Sequence, residues 1–336
     1  MITAVPVELN DAALAAEIAD GLALVEKSLG EAAQSQERLL ADASRHLIDA
    51  GGKRFRAMLV LLAAQFGNPR DERVVPAAVA IELTHLATLY HDDVMDEAAI
   101  RRGHASANSR WTNTIAILTG DFLFARASQI LADLGDEAIR IQAETFSRLV
   151  SGQIAETIGP APGQDPLAHY LRVVTEKTGS LIATAGRFGA MFSGAPAEIA
   201  ARMEAACGAI GIAWQLSDDI LDVASESAQS GKTPGTDLRE GIRSLPVLHA
   251  LRDAGERGAG EEDERLRELL LTSDLTDEPL HAEALRLLRA HPAMEAARAD
   301  LRYWIAVARD EISALPDVPA RAAFESLCDY VVDRTS

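Results

Sequence analysis

The sequence predicts an all-α protein. Apolar residues recur near every 3.6 positions along almost the whole chain. Aromatic residues make up only 4%. The alternating Val/Ile/Thr runs that mark half-buried strands are missing.

The helices follow in order from that spacing. Val5–Glu31 and Gln34–Ala50 come first, stopped by Gly51-Gly52. Phe55–Phe66 is short and apolar, and Gly67–Pro69 ends it. Asp71–Asp96, Ala107–Leu134 and Asp136–Ile158 are long and closely linked, closing at Gly159–Gly163. Pro166–Phe192 and Pro196–Val223 are separated by Gly194–Pro196, and Gly231–Gly235 breaks the pattern next. Shorter segments complete the chain: Ser244–Ala254, Glu262–Leu271, Pro279–Ala290, Pro292–Leu315 and Pro319–Val332. The polar stretch Gly255–Glu264 reads as a surface loop. The 336 residues suit two domains by length alone. Long helices with tight links instead predict one large antiparallel bundle, a single domain over residues 1–336.

Composition excludes several function classes. The net charge is −19, so non-specific nucleic-acid binding is not expected, because phosphate backbones recruit Lys and Arg. Cys207 and Cys328 are far apart, which argues against a disulfide scaffold or a structural zinc site. The first twenty residues lack a basic start, so no secretory signal is read there. No apolar run approaches ~18–20 residues, so no membrane span is expected. The default compartment is the cytoplasm. The basic residues comprise 28 Arg and four Lys: Lys27, Lys53, Lys177 and Lys232.

One motif occurs twice, as Asp92-Asp93-Val94-Met95-Asp96 and as Asp218-Asp219-Ile220-Leu221-Asp222. With 25 Asp in the chain, a single chance match has an expectation of about 0.14, and two are far rarer. Each lies near the C-terminal end of a long helical pattern. Positions i and i+4 share a helix face, so Asp92 aligns with Asp96 and Asp218 with Asp222. Such carboxylates repel one another and face the negative end of the helix dipole. A hard divalent cation offsets both effects, and Mg²⁺ commonly bridges a few carboxylates to substrate phosphates. The plainer alternative is a solvated acidic helix end. Two small basic islands accompany the clusters, Gly51-Gly52-Lys53-Arg54-Phe55-Arg56 and Arg101-Arg102-Gly103. Cations and unpaired amides at a helix start can cradle phosphate. Together these features point to two diphosphate sites, one served by metal and one by cations directly.

On these segments the chain resembles the trans-isoprenyl diphosphate synthases of the polyprenyl synthetase family. The matching stretches are GGKRFR at Gly51–Arg56, HLATLYHDDVMDEAAIRRG at His85–Gly103, GDFLFARA at Gly120–Ala127, KTGSLIATA at Lys177–Ala185, WQLSDDILD at Trp214–Asp222 and GKTPGTDLREGIRSLP at Gly231–Pro246. The motif-bearing core runs from about residue 45 to 251. The resemblance implies the isoprenoid synthase fold, a helix bundle around a central cavity, in a homodimer. It implies that Asp92, Asp93 and Asp96, with Asp218, Asp219 and Asp222, hold about three Mg²⁺ ions. Arg101, Lys177, Thr178, Gln215 and Lys232 would touch the allylic diphosphate, with Arg101 and Lys177 counted among the catalytic groups. Lys53, Arg56, His85 and Arg102 would bind isopentenyl diphosphate. Two departures stand out: Ile242 occupies the position where the family often has Lys, and Ala57 replaces the family's Pro.

The implied reaction is head-to-tail condensation of isopentenyl diphosphate onto an allylic diphosphate, farnesyl or geranylgeranyl. The family stops elongation early with a bulky aromatic five positions before the first Asp. Here that position is Ala87, beside Thr88, which implies a long all-trans product of about 7–9 isoprene units. Similarity to actinobacterial long-chain enzymes implies menaquinone side chains as its destination and transient membrane contact at product release. The alternatives are a short-chain synthase making farnesyl or geranylgeranyl diphosphate, and a non-catalytic subunit of a heteromeric synthase. Retention of both aspartate clusters argues against the latter. Three of the four lysines fall at these expected diphosphate contacts, where a compact ammonium suits phosphate.

Overall fold

The computed structural model describes residues 9–225, 234–256 and 260–335. It is helical almost throughout, as the periodicity predicts. The fold divides into two compact units. The first comprises Met1–Arg148, Ser180–Gly208 and Asp310–Leu327; the second comprises Leu149–Gly179, Ala209–Arg309 and Cys328–Ser336.

The first unit opens with α1 (Ala12–Ala32), whose first turn is capped by Asp11 Oδ1 accepting from the Leu14 amide at 2.8 Å. Its buried stripe, Leu14, Ile18, Leu22, Val25 and Leu29, follows the 3.6 spacing. Helices α2 (Arg38–Asp49) and α3 (Phe55–Ala63) follow. The core of the unit is α4 (Val74–Met95), buried on every side over most of its length, whose last turn carries the first aspartate cluster. Around it pack α3, α6 (Asn113–Leu134) and α9 (Ser180–Phe192). Small residues allow the close approach. A Cβ on Gly189 in α9 would meet the Val60 carbonyl of α3, and one on Gly120 in α6 would meet the His91 ring of α4. Gly120 opens one of the quoted motifs, so packing alone accounts for it.

Buried polar contacts tie the same helices. The Tyr90 hydroxyl donates to Ala43 O at 2.5 Å and accepts from the Leu47 amide at 3.2 Å, joining α4 to α2. Gln142 Nε2, on α7 (Asp136–Ile158), donates to Thr84 Oγ1 at 2.6 Å, and Thr145 meets Thr184 at 2.7 Å. These contacts supply partners that water would otherwise provide.

The second unit contains α8 (Pro166–Val174), capped by Asp165, and the later part of α10 (Ala197–Ala224). After them come α11 (Thr236–Arg239), α12 (Leu245–Glu256), α13 (Glu261–Thr272), α14 (Glu278–Ala290) and most of α15 (Ala293–Ser313). The end of α16 (Pro319–Asp333) also belongs to it.

The structure departs from the periodicity in four places. A π-helical turn, Thr175–Gly179, interrupts the expected continuous helix from Pro166 to Phe192. A two-stranded hairpin, β1 (Ile100–Arg101) with β2 (His104–Ala105), follows α4 where no strand is expected. The expected Ala107–Leu134 helix is split into α5 (Ala107–Arg110) and α6, with Thr112 capping the latter. Lastly, α6 has the length and mean hydropathy, 1.4, of a membrane span, with 33% of that window buried. It carries Asp121 and Arg126 and packs along α4.

Tyr90→Phe is expected to lower stability by about 1–2 kcal/mol, because the Ala43 carbonyl and Leu47 amide lose a buried partner. A melting temperature equal to that of the wild type would show that the hydroxyl contributes nothing to the α2–α4 contact.

Candidate functional site

The first unit gathers the first aspartate cluster and both basic islands. Helix α4 ends at Asp96, and Glu97 follows in the left-handed region at φ 49°. The Ala98 amide donates to Asp93 O at 3.0 Å and the Glu97 amide to Val94 O at 3.4 Å, closing the helix in a Schellman turn. The turn sends the chain into the hairpin. Arg102 and Gly103, both at positive φ (53° and 77°), form its two-residue loop. That geometry is the type I′ turn favoured between twisted strands.

This path determines what each carboxylate does. Asp93 is fully buried, and Arg101 Nε donates to its Oδ1 at 2.6 Å. Asp92 is half-buried and Asp96 exposed on the same helix. The resemblance implies metal binding by Asp93 together with these two. One of its oxygens also anchors the hairpin through Arg101.

The two basic islands meet. Arg102 Nη1 donates to Leu47 O at 2.7 Å and also to Gly51 O. A Cβ on Gly52 would lie 3.1 Å from the Arg102 guanidinium carbon, so the loop's second glycine admits the arginine. Arg54 lies in the left-handed region at φ 47° as the N-cap of α3. Its side chain is buried and paired with Glu26 of α1. Glu82, 2% exposed, accepts from the Ala57 amide at 3.0 Å and so caps α3 from α4. Burial lowers the Arg56 pKa while the Glu82 charge opposes that. His85 lies well below its ordinary value, first through burial and then through the charges of Arg56, Arg102, Arg54 and Arg101. It is therefore a neutral imidazole at pH 7. Lys53 is exposed at the mouth of this loop. Ala87 is 1% exposed, and Thr88 donates its hydroxyl back to His85 O at 2.8 Å.

The second unit holds the remaining expected residues. Lys177 and Thr178 sit in the π-helical turn. Lys177 pairs with Glu156, and a Cβ on Gly152 would come within 2.8 Å of the Lys177 amide. Helix α7 therefore needs a glycine where it passes the turn. Thr178 Oγ1 donates to Gln215 Oε1 at 3.4 Å, and Gln215 Nε2 donates to Asp219 Oδ1 at 3.2 Å. The other Asp219 oxygen accepts from the Tyr170 hydroxyl at 2.5 Å and from the Leu245 amide at 3.0 Å. Burial, the largest cause, pushes the Asp219 carboxyl up to about 6 against these three donors. Asp222 accepts from the Thr236 and Asp237 amides at 3.1 Å each, capping α11. Asp218, 45% exposed in its side chain, pairs with Arg334 at 2.6 Å. Asp219 and Asp222, expected as metal ligands, thus hold α8, α11 and α12 to α10. Lys232 lies outside the described residues. Ile242 is 49% exposed, and Gly241 beside it turns at φ 71°.

The donor set fits Mg²⁺. The available groups are hard carboxylate oxygens, and the buried Asp93 Oδ2 has no hydrogen-bond partner among the described residues. Among the described residues no three acidic, His or Cys side chains already converge as a closed metal centre. Mg²⁺ ordinarily takes one or two carboxylates and completes its shell with water and substrate phosphate.

Sequence reasoning passed over Glu82, Gly152, Glu156, Tyr170 and Arg334. All act on residues more than twenty positions away. Glu82 alone had a local signal, a carboxylate inside an otherwise apolar helix.

Comparisons with known proteins follow the same lines. The sequence model of the polyprenyl synthetase family matches residues 37–288. The chain is 50% identical over 329 residues to the nonaprenyl diphosphate synthase of Mycobacterium tuberculosis, covering 98% of this chain and 96% of that protein. Among solved structures, geranylgeranyl pyrophosphate synthase from Corynebacterium glutamicum, complexed with calcium and isoprenyl diphosphate, superposes with a TM-score of 0.88 at 44% identity. That match covers 98% of this chain and 100% of the other. A decaprenyl diphosphate synthase from Rhodobacter capsulatus gives 0.84 at 34% identity, covering 96% and 98%. The fold is their helical isoprenoid synthase fold.

The low His85 pKa has a signed consequence. Below its ordinary value of 6.5, the unfolded chain takes up a proton that the folded chain refuses, so stability is full above that pH and falls as pH drops. His85→Gln is expected to flatten the fall in melting temperature between about pH 6.5 and 5. Parallel curves for the two proteins would show that His85 is not held neutral.

Proposed function

The chain belongs to the polyprenyl synthetase family, and on that basis we propose that it extends an allylic diphosphate with isopentenyl diphosphate to a long all-trans polyprenyl diphosphate. The observation that carries this reading is the meeting of both basic islands around His85, on the helix that ends in Asp92 and Asp96.

Arg56, Arg102 and Lys53 bind isopentenyl diphosphate. Arg102 is pre-positioned by its two carbonyl contacts, so little side-chain freedom is lost on binding. Neutral His85 adds a hydrogen-bonding group without a further charge. Asp92, Asp96 and Asp218 would hold Mg²⁺, and Arg101, Lys177, Thr178, Gln215 and Lys232 would orient the allylic diphosphate. When bound, Mg²⁺ neutralises the diphosphate and makes it a better leaving group. The allylic C–O bond then breaks, and the electron pair leaves with pyrophosphate. The double bond of isopentenyl diphosphate attacks the allylic cation, and a proton passes to the released pyrophosphate. No side chain acts as a nucleophile. The protein contributes position and electrostatics.

Ala87 supports the long product, because a methyl group takes up less space beside a growing chain than the phenyl ring that stops elongation early in the family. The nonaprenyl relative supports it too, and the geranylgeranyl neighbour supports the short-chain alternative. We propose a homodimer, with Ile117, Leu118 and Ile139 covered by a second copy. They are 43%, 54% and 43% exposed, apolar side chains of α6 and α7 that a second copy would remove from water. The family match includes residues of both units, which supports one polyprenyl synthetase domain. The product serves a membrane lipid such as menaquinone, and the enzyme works in the cytoplasm with transient membrane contact.

The decisive assay incubates the protein with Mg²⁺, isopentenyl diphosphate and farnesyl diphosphate and weighs the products. A ladder ending at about seven to nine units is expected. Asp92→Ala is expected to abolish turnover with helix content unchanged, and residual wild-type activity would remove Asp92 from the metal site. Ala87→Phe is expected to shorten the product while condensation continues. An unchanged chain length would overturn the assignment of Ala87.

A further inference from the structure

The second aspartate cluster divides its three carboxylates unequally. Asp219 is occupied by Tyr170, Gln215 and the Leu245 amide, and Asp222 by two amides of α11. Asp218 is bound by a cation of the protein's own, Arg334 Nη2 at 2.6 Å from Oδ1. We propose that Arg334 is the resident counter-cation of Asp218, and that it sets how readily this carboxylate accepts a divalent metal. The inference rests on the reading above that Asp218 is a metal ligand.

The arginine is built into its place. Trp214 and Asp218 lie one turn apart on α10, and Tyr330 and Arg334 one turn apart at the end of α16 and just past it. The two pairs mate. Trp214 stacks on Tyr330 with ring centroids 6.1 Å apart, and the Arg334 guanidinium lies 4.6 Å over the Trp214 ring. Cation–π contact adds to the ion pair there. The Arg334 amide donates to Tyr330 O at 3.2 Å. The next residue, Thr335, is 5% exposed, and its carbonyl accepts from Arg298 Nε at 3.1 Å. The backbone on either side of the guanidinium is thus anchored. Arg334 Nη1 is buried without a hydrogen-bond partner among the described residues, so the side chain is not fully satisfied by Asp218 alone.

The physical effect has one sign. A guanidinium at hydrogen-bond distance cancels much of the carboxylate's charge, so an incoming dication must share Asp218 with it or displace it. The cost is removed when the arginine loses its charge. Arg334 therefore keeps Asp218 neutralised, and raises the metal concentration at which the carboxylate loads.

The test uses Mn²⁺ as the probe, titrated into the full chain with inorganic pyrophosphate and followed by electron paramagnetic resonance. Arg334→Gln is expected to bind Mn²⁺ about fivefold more tightly than wild type, the weight of one part-exposed ion pair. Arg334→Lys, which keeps the charge but not the stacked fork, is expected to lie between them. Asp218→Asn is expected to weaken binding, and adding Arg334→Gln to it is expected to restore nothing. Circular dichroism of each variant checks that α10 and α16 persist. If Arg334→Gln distorts the fold, Arg334→Lys carries the comparison. If Asp218→Asn weakens binding but neither Arg334 variant tightens it, the proposal is overturned and the metal assignment stands. If Asp218→Asn leaves Mn²⁺ binding unchanged, the metal assignment itself fails and the proposal falls with it.

Discussion

Carboxylates crowded at the C-terminal end of a helix govern how this protein is built. Such groups repel each other and oppose the helix dipole, so each end must be supplied with positive charge or donors. The protein solves this twice in the same manner. At the end of α4, Asp93 is buried against Arg101, and the hairpin brings Arg101 back to make that contact. On α10, Asp219 is buried among Tyr170, Gln215 and the Leu245 amide, and Asp222 caps α11. In both motifs the middle Asp turns inward as a structural anchor. Asp92 stays half-buried, Asp96 is exposed, and Asp218 keeps 45% of its side chain exposed while pairing with Arg334.

The cationic half of the first unit meets the inverse difficulty. Arg54, Arg56, Arg101 and Arg102 lie close enough to depress His85 together. Like charges this near are tolerated because each has a fixed counterpart. Glu26 holds Arg54, Asp93 holds Arg101, backbone carbonyls hold Arg102, and Glu82 sits beneath Arg56 and Arg102. The compensation is incomplete, since Arg56 Nε is buried without a partner among the described residues. An anion arriving there meets donors that are already dehydrated and oriented, which favours binding over rearrangement.

Much of this site is legible in the order of residues. The i, i+4 spacing of Asp92 with Asp96 needs only helix geometry, and GGKRFR and RRG are basic islands visible in an acidic chain. The partition of roles inside each Asp-Asp-x-x-Asp is not legible there. All three aspartates look alike in sequence, and their difference comes from burial. Asp93 and Asp219 face inward because the helix turns them by about 100° per residue from their neighbours. The π-helical turn is equally hidden. Thr175–Gly179 continues an apolar helical pattern, and the close approach of α7 at Gly152, where a Cβ would come within 2.8 Å of the Lys177 amide, shows only in three dimensions.

Periodicity and spacing are local properties of a helix, so the all-α class, the order of helices, the two acidic clusters and their shared chemistry follow from the residues alone. Packing in three dimensions assigns the rest. It selects which members of those clusters anchor neighbouring elements, returns Arg101 to Asp93 and Arg102 to the loop before α3 through the hairpin, and sets Arg334 against Asp218. Those outcomes depend on contacts between residues as many as 116 positions apart. No window of sequence encodes them, because they exist only once hydrophobic burial has brought distant helices to the same place.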